Sequence, residues 1–166
     1  MAYSPRLIAN AFIRRAAQEQ TSLSHMKLQK LVYYAHGWYA GYTGKPLIDE
    51  TIEAWQYGPV ISSLYQEFKR FGSNPITAKA TDFVNMEIEE VPPPDEESVR
   101  KFLRNIWRSY GKFTGLTLSE MTHAKGSPWD LTRKESPGLK GADISFKLIA
   151  SHFKDVIEKA KQKAAA

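Results

Sequence analysis

The chain has 166 residues, 42% hydrophobic and 25% charged, the balance of one folded domain with a proper core and not of a disordered chain. It has no cysteine, which excludes a disulfide framework and thiolate chemistry, and no apolar run approaches the ~18 residues of a membrane span. The net charge of +5 and pI near 9.3 favour acidic proteins, nucleic acid or anionic surfaces as partners, although such a balance is also common in proteins that bind none of these.

At the N-terminus, MAYSPRLIAN is broken by Pro5 and Arg6 and contains no secretory apolar region, so the expected location is the cytoplasm. Ser4 to Gln20 is a predicted helix, with Ser4 as cap, Pro5 in the first turn and Leu7, Ile8, Ala11, Phe12 and Ala16 facing inward. Arg14 and Arg15 then point outward. After a turn at Thr21–Ser24, residues 26–43 form a second helix. Leu28, Leu31, Val32, Ala35, Trp38, Tyr39 and Tyr42 line one side, while Tyr33, Gly37, Ala40 and Gly41 occupy the other. Each interior glycine costs about 1 kcal/mol relative to alanine. Close approach of another backbone is the usual compensation, so this helix belongs at the centre of the fold. Its polar residues, Lys27, Gln29, Lys30 and His36, cluster toward the first turns, where the chain is expected to reach the surface.

Gly44-Lys45-Pro46 ends that helix, and Thr51–Tyr57 alternates as a strand. Gly58-Pro59 reads as the start of a third helix, with Ile61, Leu64, Tyr65 and Phe68 as its stripe and Gly72 at its end. Residues 76–80 and 82–91 read as extended, with Phe83, Val84, Met86, Ile88 and Val91 as apolar members, and a small sheet with the 51–57 strand is the economical arrangement. Pro92-Pro93-Pro94 is a stiff spacer. A helix follows from Asp95-Glu96-Glu97 to Gly111, with Val99, Phe102, Leu103, Ile106, Trp107 and Tyr110 on one side and Arg100, Lys101, Arg104 and Arg108 on the other. A short helix over Leu118–Ala124, capped by Thr117, is followed by an irregular stretch over 130–142. The last helix begins near Ser145, with Leu148, Ile149, Phe153, Val156 and Ile157 inward, and frays over 160–166. The fold class is α+β and mainly α-helical: five to six helices around the central one, with a small antiparallel sheet. Residues 1–166 form a single domain in this reading.

The run LQKLVYYAHGWY, then EAWQYGPV, then LYQEF resembles the Panacea domain of SocA-like antitoxins, a group long labelled only as phage-associated proteins. The resemblance is close over Met26–Phe71 and extends to His123 and Pro128-Trp129. It implies an antitoxin that neutralises a partner protein toxin by direct binding or delivers it to an ATP-dependent protease, with no catalysis and no cofactor. A homodimer is a further expected partner. Ala164–Ala166 reads either as an artefact of expression or as a small apolar end of the kind such proteases engage.

Catalytic constellations are scarce. His25, His36, His123 and His152 include no pair at metal-site spacing, and no GxxxxGK[ST] loop exists. His36 reads as a hydrogen-bonded structural histidine. His123, Ser127 and Asp130 are close in sequence, but no nucleophile-elbow pattern surrounds any serine, so the plainer reading is a loop tied to the core. Asp49, Glu50 and Glu53 fit a solvated strand end better than acid–base work. The rival reading is a nucleic-acid-binding accessory protein of a phage or mobile element, carried by the basic face Arg100, Lys101, Arg104 and Arg108. No helix-turn-helix or RNA-binding aromatic motif accompanies that face.

Aromatic density between Tyr33 and Tyr65 exceeds what packing of one helix and one strand needs, and tyrosine, tryptophan and arginine are the residues that anchor interfaces. The candidate toxin-binding residues are therefore Lys27, Gln29, Lys30, Tyr33, Tyr57, Gly58 and Pro59, with Tyr57 partly exposed as the anchor and Trp38 and Trp55 in the core.

Overall fold

The computed structural model describes all 166 residues, and its centre is α2 (His25–Thr43). The Ser24 hydroxyl caps this helix by accepting from the Lys27 N–H at 3.1 Å, and Gly44, at φ +72°, ends it in the left-handed conformation that glycine tolerates best. The glycine face is used as expected. α7 (Phe146–Ala165) lies along it, and an added methyl at Gly41 would sit 2.9 Å from the Phe153 backbone carbonyl carbon. At Gly37 a methyl would overlap the Phe153 ring itself. α1 (Pro5–Gln18), α3 (Ser62–Phe68), α4 (Glu97–Tyr110) and α5 (Gly115–Thr122) surround the other faces of α2. One cluster of 29 buried hydrophobic residues runs from Ile8 through Phe153, so both ends of the chain share a core.

Two sheets accompany the helices. β1 (Ile52–Trp55) is central in an antiparallel sheet of order β2-β1-β5, between β2 (Gly58–Val60) and β5 (Ala142–Ile144). Ala54 pairs with Pro59 on one side and Ala142 on the other. β3 (Thr81–Val84) and β4 (Glu87–Glu90) form a separate hairpin, with Phe83 opposite Ile88.

Several expectations need correction. Gly58-Pro59 does not start a helix. The two residues open the edge strand β2, where a proline without N–H is tolerated, and α3 begins only at Ser62. The second partner of β1 is β5 and not the 76–91 region, because Arg6 and Asn10 of α1 hold the base of the β3–β4 hairpin elsewhere. Asn10 donates to the Ala80 and Val91 carbonyls and accepts from the Ala80 N–H, and Arg6 pairs with Asp82. The hairpin's apolar residues are consequently exposed, Phe83 by 69% and Ile88 by 76%. The stretch 130–142 is also ordered. α6 (Pro128–Glu135), capped by Ser127, is a seventh helix, followed by β5. α5 starts earlier than predicted, with Thr114 and not Thr117 as its cap. Ser4 precedes α1 but makes no side-chain cap bond, and α7 continues as helix through Ala165.

Candidate functional site

Gln56 and Tyr57 form the two-residue loop between β1 and β2. Tyr57 is 63% exposed, in agreement with the sequence reading. Three contacts hold the loop from behind. The Ser119 hydroxyl donates to the Tyr57 carbonyl at 2.5 Å, Lys30 Nζ to the Pro59 carbonyl at 3.2 Å, and Trp129 Nε1 to the Trp55 carbonyl at 2.6 Å. Gly58 has φ +118°, and a methyl there would lie 2.6 Å from Lys30 Cε. Only glycine serves at this position, because it must both turn the chain and let the lysine pass.

The predicted surface at the start of α2 is corrected by burial. Lys27 (7% exposed), Gln29 (2%), Lys30 (2%) and Tyr33 (2%) are inside, and so are Gly58 and Pro59. Each polar group is inside for a definable reason. Lys27 Nζ donates to the Gly111 carbonyl at the end of α4, where a cation suits the helix dipole, and stands 5.4 Å from the Trp107 ring. Gln29 bonds both backbone groups of Ile61, accepting from N–H at 2.9 Å and donating to C=O at 3.1 Å, which fixes the entry into α3. Lys30 is different, because a single carbonyl is its acceptor, and desolvation lowers its pKa to about 8. His36 is buried too and is hydrogen-bonded as expected of a structural histidine: it accepts from the Ile48 N–H through Nδ1, and burial lowers its pKa to about 4.

Beside the Tyr57 loop lies a cleft of about 1040 Å³, walled by Trp55, Tyr57 and Tyr65 and by the loop 137–141, with Lys30 and Arg133 in its lining. Arg133 of α6 was not among the predicted residues. Nothing in the DLTRKESPG run marks it, because its place depends on α6 packing beside β1, where Arg133 donates to the Ala54 carbonyl at 3.1 Å. Trp55 and Trp38 are half-buried and not fully core. A second, more polar cleft of about 760 Å³ near Lys27 is lined by four cations, of which Lys27 is engaged by Gly111 and Arg15 by Glu19, while Arg108 and Lys112 form no ion pair.

Most of the other candidate groups have structural partners, although His123 Nε2 is buried without a hydrogen bond. Ser127 Oγ accepts from the Asp130 N–H and donates to the Thr122 carbonyl, and Asp130 binds the Gly126 N–H and Lys134. His123 stacks on Trp129 at 3.9 Å, which ties the turn to the core. Glu50 accepts from the Ser63 N–H, and Glu53 from Trp55 Nε1. On α4, Glu97 accepts from both Arg100 and Arg104 at 2.9 Å, and those hydrogen bonds hold its carboxyl below the usual range. Only Lys101 and Arg108 of that basic face remain exposed and free of ion pairs.

The fold and this site define a mainly helical α+β protein in which a glycine-faced central helix supports a rigid aromatic turn beside a cationic cleft. The family described as "Antitoxin SocA-like, Panacea domain" matches residues 28–130, and the chain belongs to that family. It is similar to Antitoxin SocA of Caulobacter vibrioides (strain NA1000 / CB15N), with 30% identity over 154 residues that span 90% of this chain and 81% of that protein. No solved structure matches. No helix is long and apolar enough to cross a membrane.

Proposed function

We propose that the chain is an antitoxin that neutralises a protein toxin by direct binding, without catalysis, and that Tyr57 is the anchor of the contact. The observation that carries this reading is a 63% exposed tyrosine on a two-residue loop whose carbonyls are held from three sides. An anchor that is ordered before binding loses little freedom on association, so its buried area converts efficiently into affinity. Of the other candidate residues, Lys30, Gly58 and Pro59 act from beneath, as the scaffold that sets the loop, and Gln29 fixes the chain after it at Ile61; Lys27 and Tyr33 pack against α4 and α7 and carry no toxin contact, while Trp55 and Tyr65 extend the aromatic surface toward the cleft. The name of the Caulobacter relative supports the antitoxin role.

Masking of the toxin and delivery to an ATP-dependent protease both begin with this contact, and toxin half-life with and without the protease separates them. Tyr57→Ala tests the contact itself. The affinity for the toxin encoded in the adjacent reading frame should fall about thirtyfold, the ~2 kcal/mol of an interface anchor, with the melting temperature unchanged. Full affinity in that variant would refute the assignment. The nucleic-acid reading is weakened by the pairing of Arg100 and Arg104 with Glu97. A gel shift at low ionic strength should show no complex, since phosphate contacts are strongest there.

A further inference from the structure

Lys30 has no structural partner that accounts for its charge. The residue is 2% exposed, and its ammonium donates to one neutral carbonyl, that of Pro59, and forms no ion pair. Buried charges are ordinarily paired, because removal of an ammonium from water costs several kcal/mol that a single carbonyl does not return. Four further observations bear on what the unmatched charge is for. Lys30 lines the cleft beside Tyr57. Arg133 lines it too and likewise forms no ion pair, its guanidinium donating to the Ala54 carbonyl and standing 5.7 Å from the Trp129 ring. Lys140 adds a third cation, against one lining carboxylate, Glu53, which is engaged by Trp55 Nε1. Gly58 keeps the route of the lysine open, since any Cβ there would collide with Lys30 Cε.

We propose that this cleft is an oxyanion-binding site, in which the Lys30 ammonium and the Arg133 guanidinium receive a carboxylate or phosphate group between the aromatic walls Trp55 and Tyr65. The cleft supplies what such a group requires: charge held in a poorly hydrated place, where each charge-assisted hydrogen bond is stronger than in water, and a planar guanidinium suited to two oxygens. The proposal rests on the antitoxin reading only for the source of the oxyanion, which is then an acidic side chain or the terminal carboxylate of the toxin. A free phosphate-bearing compound is the other source.

The test uses the full chain and inorganic phosphate as probe. Melting temperatures of wild type, Lys30→Met and Arg133→Met are measured in phosphate and in sodium chloride of equal ionic strength. Wild type should show a saturable rise specific to phosphate, as any ligand of the native state produces, and both variants should lose it. In chloride, Lys30→Met should melt at or above the wild-type temperature, because methionine fills similar volume without a buried charge; Arg133→Met keeps the test decisive if that variant fails to fold. Toxin affinity is then measured for the folded variants. A tenfold or greater loss in Arg133→Met, whose backbone contact lies away from the Tyr57 loop, with phosphate competing in wild type, identifies a toxin carboxylate as the occupant. A phosphate response with toxin affinity unchanged identifies the free compound. Absence of a phosphate-specific rise together with unchanged toxin affinity in the variants overturns the site. Failure of the antitoxin reading is separately visible as absence of binding between wild type and the adjacent-frame toxin, since the phosphate measurement needs no toxin.

Discussion

Gly37→Ala is the substitution for which helix propensity and packing predict opposite signs. Propensity alone predicts stabilisation of about 1 kcal/mol, since Gly37 lies in the interior of α2. The structure predicts the reverse. An added methyl would find the Phe153 Cζ at 2.5 Å and Cδ2 at 2.7 Å, more than 1 Å inside contact distance. The ring has nowhere to retreat, because Phe153 is 3% exposed and packed edge-on against Trp38 at 5.3 Å and Tyr33 at 6.0 Å. Overpacking of this kind costs roughly 1–3 kcal/mol. With the ring so confined the upper part of that range applies, and the net loss is about 1–2 kcal/mol after the propensity gain. For a chain of this size the melting temperature should fall by about 2–8 °C in a thermal scan followed by circular dichroism. Phe153→Leu in the Gly37→Ala background should recover part of the loss, a coupling of about 1 kcal/mol in a double-mutant cycle. A rise in melting temperature for Gly37→Ala alone would refute the claim that α7 is seated on the glycine face of α2.

Three further outcomes are expected. His36 titrates near 4 in the native state and near 6.5 when unfolded, so above pH 6.5 its burial has no proton linkage, and stability falls as pH drops from 6.5 toward 4 because only the unfolded chain takes up the proton. The loss reaches about 3 kcal/mol, and denaturant titrations at pH 7 and pH 4.5 should show it; an equal acid loss in His36→Gln would assign it to other groups. Ser24→Ala removes the side-chain cap of α2 and should cost about 1 kcal/mol, read as a fall of about 2–4 °C in melting temperature. The double substitution Phe83→Ser, Ile88→Ser should change stability by no more than about 0.5 kcal/mol, because both side chains are exposed on the β3–β4 hairpin.

Much of this protein was legible in the chain because helices announce themselves locally. The apolar period of α1, α2, α4 and α7, and the two glycines that demanded a close neighbour for α2, required only residues within a few turns of one another. The exposed Tyr57 followed from its position next to Gly58-Pro59, since a break after an alternating strand leaves a side chain at the bend. What escaped depends on partners far along the chain. Gly58-Pro59 looks like a helix start by local rule, and becomes an edge strand only because β1 offers it a register. Ala142–Ile144 is too short to signal a strand and pairs with Ile52–Ala54 from about ninety residues away. Lys27 and Lys30 are polar by type, and polarity predicts exposure. Their burial was decided by the end of α4 in one case and by the β2 backbone in the other, contacts across 84 and 29 residues that no periodicity encodes. Tertiary structure alone decided that an ammonium would lie inside, in the lining of the same cleft as Arg133, because desolvation is a property of what surrounds a group and not of the group itself.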